Sequence, residues 1–181
     1  MLLDSTFASG LETQLEEPTG FKKWIFTESL LFGSRTSWPH GSLRNHPHTG
    51  LDFATYQTKR GAWRQLSSGL LVPAAKEGTV AGIYDEGPGK TIVLRHTHSS
   101  EKGMLYTVYG HVVPGVSVGE RLDAGQHLGT LVSLPAQFPY LHLGVAWLPF
   151  GFSEELNSET LRNSAQFSDP LAEMTLTYRI A

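Results

Sequence analysis

Short apolar runs, each stopped by glycine or proline, recur about every ten residues between residues 48 and 147, and this spacing limits the fold more than any other feature. Residues 51–56 are apolar and aromatic. Residues 79–84 and 91–96 flank Asp85-Glu86-Gly87-Pro88-Gly89, a strong hairpin signal. Residues 104–113 are rich in Tyr, Val and Thr, and glycines at 119, 125 and 129 suit tight turns between short strands. Residues 141–147 alternate strictly, with Leu141, Leu143, Val145 and Trp147 on one face and His142, Gly144 and Ala146 on the other, together with the preceding Tyr140. Nineteen glycines and ten prolines reinforce a turn-rich, mainly β reading. The expected architecture is an antiparallel sheet or sandwich with short peripheral helices.

The first 47 residues are less regular. A weak helical pattern surrounds Leu11 and Leu15, and Pro18-Thr19-Gly20 breaks it. Residues 21–31 suit a strand or short helix, and residues 33–47 read as a long loop. Residues 153–162 predict a short outer helix. At 181 residues the chain makes one domain with an appended arm. The division expected is an N-terminal arm over 1–31 and a main domain over 32–181.

Several classes of function are excluded. Fourteen Lys+Arg against 17 Asp+Glu give a formal charge of −3, with no basic footprint for nucleic acid. No apolar run reaches the roughly 18 residues of a membrane span. The absence of cysteine removes disulfides, cysteine-ligated metals and cysteine nucleophiles. The first ten residues lack a basic segment followed by an apolar one and do not read as a signal peptide. Eight histidines in a charge-poor chain are the feature that points to chemistry, because imidazole is both a metal ligand and a base at neutral pH.

Three segments concentrate that chemistry. His48 and Asp52 are four apart, both good metal ligands. Four residues of extended strand span roughly 13 Å, too far to share one ion, so the chain must bend near His48, with Gly50 permitting the bend. On spacing alone, a polar turn entering a strand is an equal reading. By itself His142 reads first as a half-exposed strand histidine; against that, it shares its face with the small Gly144 and Ala146, which leave room for something to dock. His111 follows Tyr109-Gly110 at a strand end, where a histidine taken alone is more often a surface residue than a base.

Together these segments resemble a family. His48-x-Gly50-x-Asp52, then Tyr109-x-His111, then His142 ahead of a β-strand resembles the lysostaphin/LytM-type zinc metallopeptidases that cut peptidoglycan cross-bridges. Phe32-Gly33-Ser34-Arg35, Val72-Pro73-Ala74-Ala75 with Gly78-Thr79-Val80, Gly119 through Gly125-Gln126, and Asp169-Pro170 resemble further motifs in the same order, over residues 32 to about 171. The resemblance implies the duplicated hybrid motif fold, an antiparallel β-sheet groove of the type shared with lipoyl-like barrel-sandwich hybrids. It implies zinc (Zn2+) held by His48, Asp52 and His142, with water at a fourth position. It implies that His111 is a catalytic histidine, and that Tyr140 stands where the family places its second one. Gly144 occupies a position where the family often has an acidic residue supporting the metal. Implied too are a peptidoglycan stem or bridge peptide as substrate and a location in the cell envelope or outside the cell. The other reading is an impaired module of the same fold that binds peptidoglycan or activates a separate hydrolase. Arg35 and His46 are candidate groove residues, and His96 a structural one.

Overall fold

Two glycine turns and a tight corner organise the chain around one large sheet. The computed structural model describes residues 2–16, 20–37, 39, 41–133 and 138–181; Pro18, Thr19 and His40 fall outside these. Helix α1 (Ser5–Gln14) leads into β1 (Phe21–Phe26) and a 3-10 turn (Glu28–Leu30). The strands that follow are β2 (Gly50–Phe53), β3 (Thr55–Thr58), β4 (Trp63–Gln65), β5 (Leu71–Pro73), β6 (Gly78–Asp85), β7 (Lys90–Ser100), β8 (Gly103–Pro114), β9 (Arg121–Leu122), β10 (His127–Leu131) and β11 (Leu141–Leu148). The chain ends with α2 (Ser158–Ser164), β12 (Gln166–Ser168), α3 (Pro170–Glu173) and β13 (Tyr178–Ile180).

The larger sheet runs β12-β11-β8-β7-β6-β9, with β2 on β11, and β10 bridging β8 to β5. All of its pairings are antiparallel. A smaller sheet runs β13-β1-β3-β4, and β13 lies parallel to β1. The mainly β, antiparallel expectation holds, and among the described residues the strand path is open, with no closed barrel. The single run read at 51–56 is in fact two strands: Ala54 turns the corner, sending β2 into the large sheet and β3 into the small one. No helix among the described residues is long and apolar enough to cross a membrane.

The alternation of β11 is realised on both faces. Leu141, Leu143, Val145 and Trp147 enter the main core. On the other face, Ala146 and Leu148 join Val93, Tyr106, Val108 and Leu161 in a second apolar cluster. Leu161 comes from α2, so that helix roofs the far half of the strand and leaves the His142 end open. The helix starts at Ser158, five residues later than the sequence pattern predicts. Asn157 sets the start: its side chain accepts from the Glu159 and Thr160 amides at 2.9 Å, and Thr160 reciprocates as a capping box.

The N-terminal residues pack directly beneath β2. Phe53 meets Phe7, Trp24 and Phe26 at ring-centroid distances of 5.7, 4.9 and 5.6 Å, near edge-on. All four rings are essentially inaccessible. Each contributes about 1.5–3 kcal/mol by burial, and the cluster fixes the strand that carries Asp52.

His96, read from the sequence as structural, is buried. Its Nδ1 lies 2.6 Å from the Glu77 carbonyl, which can only accept, so Nδ1 carries the proton. Its Nε2 lies 2.9 Å from Thr107 Oγ1, and Tyr109 OH continues the chain at 2.9 Å from Thr107. Burial pushes the imidazole down to about 4, despite the Glu77 contact. Between pH 4 and 6.5 the unfolded chain therefore binds more protons than the folded one. The neutral ring's stability is present in full above pH 6.5 and falls by up to about 3 kcal/mol as pH drops to 4. Urea unfolding across this window should show that loss. His96→Gln should be less stable at pH 7 but show a flatter dependence; parallel curves would remove His96 as the source.

Candidate active site

Three side chains from two elements and one loop converge. Asp52 lies in β2, His142 lies opposite it in β11, and His48 lies in the coil two residues before β2. Asp52 Oδ1 is 3.0 Å from His48 Nε2 and 2.8 Å from His142 Nδ1, and the two nitrogens are 3.1 Å apart. The expected bend near His48 is present. Gly50, however, serves it differently: it is not among the positive-φ glycines. A Cβ there would press into the Leu143 carbonyl oxygen and come within 2.7 Å of the His142 ring. Gly50 therefore admits the imidazole, and Gly110 does the same from β8, where a Cβ would be 3.1 Å from His142 Cβ.

The donor chemistry fits a metal ion. His48 Nδ1 is 2.9 Å from the Leu31 carbonyl and must donate to it. In the neutral ring Nε2 then has only a lone pair, and that lone pair faces a carboxylate oxygen at 3.0 Å. Two acceptors set face to face repel unless a cation or proton lies between them. A carbonyl fixing the remote nitrogen is also the usual means of orienting a ligating histidine. His48 and Asp52 are buried and His142 half-buried, and their ligand atoms lie within 4.8 Å of one another. Burial, the largest influence on the Asp52 carboxyl, raises its pKa. With a proton or cation between the facing groups, the contacts from His142 and His48 outweigh it and hold the carboxyl well below the usual carboxylate range.

The triad opens into a cleft of about 310 Å³. His111 and Tyr140 both line it, with ring centroids 4.3 Å apart. His111 is placed by a bulge: the β7–β8 register jumps between Lys90–Val112 and Ile92–Tyr109, giving β8 one extra residue. It is the only non-glycine residue at positive φ (64°) among those described, a conformation that costs about 1–2 kcal/mol. Its Nδ1 donates to the Pro88 carbonyl at 3.2 Å, at the tip of the β6–β7 hairpin, and Nε2 keeps its lone pair. Burial lowers its pKa, with the Pro88 contact opposing, so the ring is neutral at pH 7. For Tyr140, burial and then the Asp52 charge push the phenol up to about 12, against the effect of Arg44, so it remains a hydrogen-bond donor.

Other expectations change. Arg35 is exposed and is not among the residues lining the cleft; Arg44 lines it instead. His46 lines it as expected. The sequence reading missed Tyr84 and Glu86 from the β6–β7 hairpin, and Ser158 and Arg162 from α2. Glu86 was visible as a charge within a turn, whereas nothing in the sequence ties α2 to the cleft. At Gly144 a side chain would be crowded: a Cβ would be 3.3 Å from Val108 Cβ, a tight contact, and 3.5 Å from the Thr49 carbonyl.

Comparison with known proteins bears on the fold and the family. No curated protein sequence matches the chain. Among solved structures, the catalytic domain of lysostaphin from Staphylococcus simulans has a TM-score of 0.52 and 22% identity, covering 90% of this chain and 96% of that one. A structure of cbpa from L. salivarius REN has a TM-score of 0.51 and 24% identity, covering 83% and 86%. These likenesses carry the fold. Residues 46–149, which hold all three converging side chains, His111 and Tyr140, match the sequence pattern of Peptidase family M23. The chain belongs to Peptidase family M23.

Proposed function

We propose that the protein is a zinc-dependent endopeptidase acting on peptidoglycan stem or bridge peptides, in the cell envelope or outside the cell. The observation that carries the reading is the lone pair of His48 aimed at Asp52, with His142 completing a set of two imidazoles and one carboxylate. That set suits a catalytic zinc site with one open position. Zinc bound there would supply Lewis acidity and lower the pKa of a water molecule toward about 7.

The chain's own groups then have distinct tasks. Asp52 and the two imidazoles hold the ion. His111, neutral and with Nε2 unprotonated, accepts a proton in the cleft and returns it to the leaving amine. Tyr140, neutral at pH 7, donates its O–H to the carbonyl oxygen as negative charge develops there. The cleft walls bind the peptide and reduce access of bulk water.

Purified protein should cleave synthetic bridge or stem peptides, lose that activity on dialysis against a chelator, and regain it with Zn2+. Tyr140→Phe should retain metal and lose roughly 10²-fold in kcat, because removing one such donor typically costs 2.7–4 kcal/mol. Equal rates for the Tyr and Phe forms would reduce Tyr140 to a space-filling role. If native, Tyr140→His and Tyr140→Phe proteins all hold zinc and all fail on a broad panel of cell-wall peptides, the enzyme reading is lost. A binding or hydrolase-activating module would then take its place.

A further inference from the structure

We infer that Arg44 is a positioning residue for the metal centre: it engages the outer oxygen of Asp52, so that the carboxylate offers one oxygen, and not two, to the ion. The inference rests on reading His48, Asp52 and His142 as the ligands.

The two oxygens of Asp52 have different surroundings. Oδ1 faces both imidazoles, at 2.8 and 3.0 Å. Oδ2 faces the Arg44 guanidinium at 3.7 Å, in an ion pair whose side chains are 4% and 24% exposed. Arg44 is itself anchored. Its Nε donates to the Thr36 carbonyl at 3.0 Å and its Nη2 to the Ser29 carbonyl at 3.2 Å. The same stretch of backbone supplies the Leu31 carbonyl that orients His48, and Ser34 O accepts from the His48 amide at 2.9 Å. Residues 29–36 thus hold two of the three ligands, one directly and one through Arg44.

The chemical consequence concerns coordination number. A carboxylate binds metal through one oxygen or two, and a second oxygen would occupy the position a catalytic site keeps open. An oxygen already facing a permanent cation is a poor second donor, and guanidinium stays charged at any working pH. Position 144, where an acidic residue could do this work, holds a glycine, and a side chain there would be crowded by Val108. Arg44 also precedes residues 46–149, so the support comes from outside the stretch that matches the family.

Cobalt provides a readout that does not depend on activity. The full chain loaded with Co2+ should show the intense visible bands of a four-coordinate ion. Arg44→Gln keeps an N–H donor at the level of Nε, for the Thr36 carbonyl, but removes the charge facing Asp52. Its bands should weaken and shift as the coordination number rises, and chelator competition should show metal affinity down by roughly 10–100-fold. Arg44→Lys, which restores a charge, should recover most of both. An Arg44→Gln protein with unchanged spectrum and affinity overturns the inference. So does equal loss in the Gln and Lys variants while both stay folded by circular dichroism, since Arg44 would then merely tie down the loop. Should Arg44→Gln not fold, the Lys variant decides: a native-like spectrum supports the inference and an altered one overturns it. If the native chain takes up no cobalt, the metal reading itself has failed, an outcome distinct from the others.

Discussion

His142→Ala is expected to leave the chain folded but without its metal ion, and with no measurable peptide hydrolysis. The ring is one of the three donors proposed for the ion, and its loss leaves one imidazole and one carboxylate facing an enlarged opening. Affinity should fall well beyond the 10–100-fold that loss of a supporting contact costs. Gly50 and Gly110 are shaped around this ring, so truncation opens space and forces no clash. The backbone pairing of His142 with Asp52 and Gly110 does not depend on the side chain. Elemental analysis against native protein measures the effect, and circular dichroism checks the fold. A variant with full zinc content would remove His142 from the ligand set. Asp52→Ala should behave alike and in addition leave Arg44 without its partner.

Much of this site was legible from residue order. Strand alternation put His142 on the face opposite Leu141 and Leu143, and the structure keeps it there. The hairpin at 85–89 was visible in its glycines and proline. Details set by distant contacts were not. Ala54 ends one strand and begins another because Phe53 must enter a ring cluster built from residues 7, 24 and 26, and no window of the sequence contains all four. Gly50 read as a hinge, and only the approach of β11 shows that it clears space for an imidazole. Arg35 and Arg44 are equally plausible as groove arginines in a loop of undefined shape. The isolated bridge between Thr36 and Leu43 folds that loop so that Arg44 turns toward Asp52 while Arg35 faces solvent. His98 and His127 lie in β7 and β10, where strand ends carry polar side chains without a sequence signal.

His111 combines legible identity with illegible geometry, and this determines how its role is best tested. If His111 is the proton carrier proposed, removing it should keep the metal and cost 10²–10⁴-fold in turnover, the usual worth of a positioned acid–base group. His111→Ala alone is an imperfect probe, because the position has φ of 64° and alanine is strained there. Asparagine tolerates this conformation and cannot accept a proton at neutral pH, so His111→Asn separates chemistry from backbone strain. Both variants should lose turnover to a similar extent while zinc content stays at the native level. His111 makes none of the contacts that join His48, Asp52 and His142, which is why metal retention is expected. If Asn restores activity lost in Ala, the imidazole serves only to hold the bulge. If either variant loses zinc while folded, His111 belongs to the metal site and the division of labour proposed for the cleft is wrong.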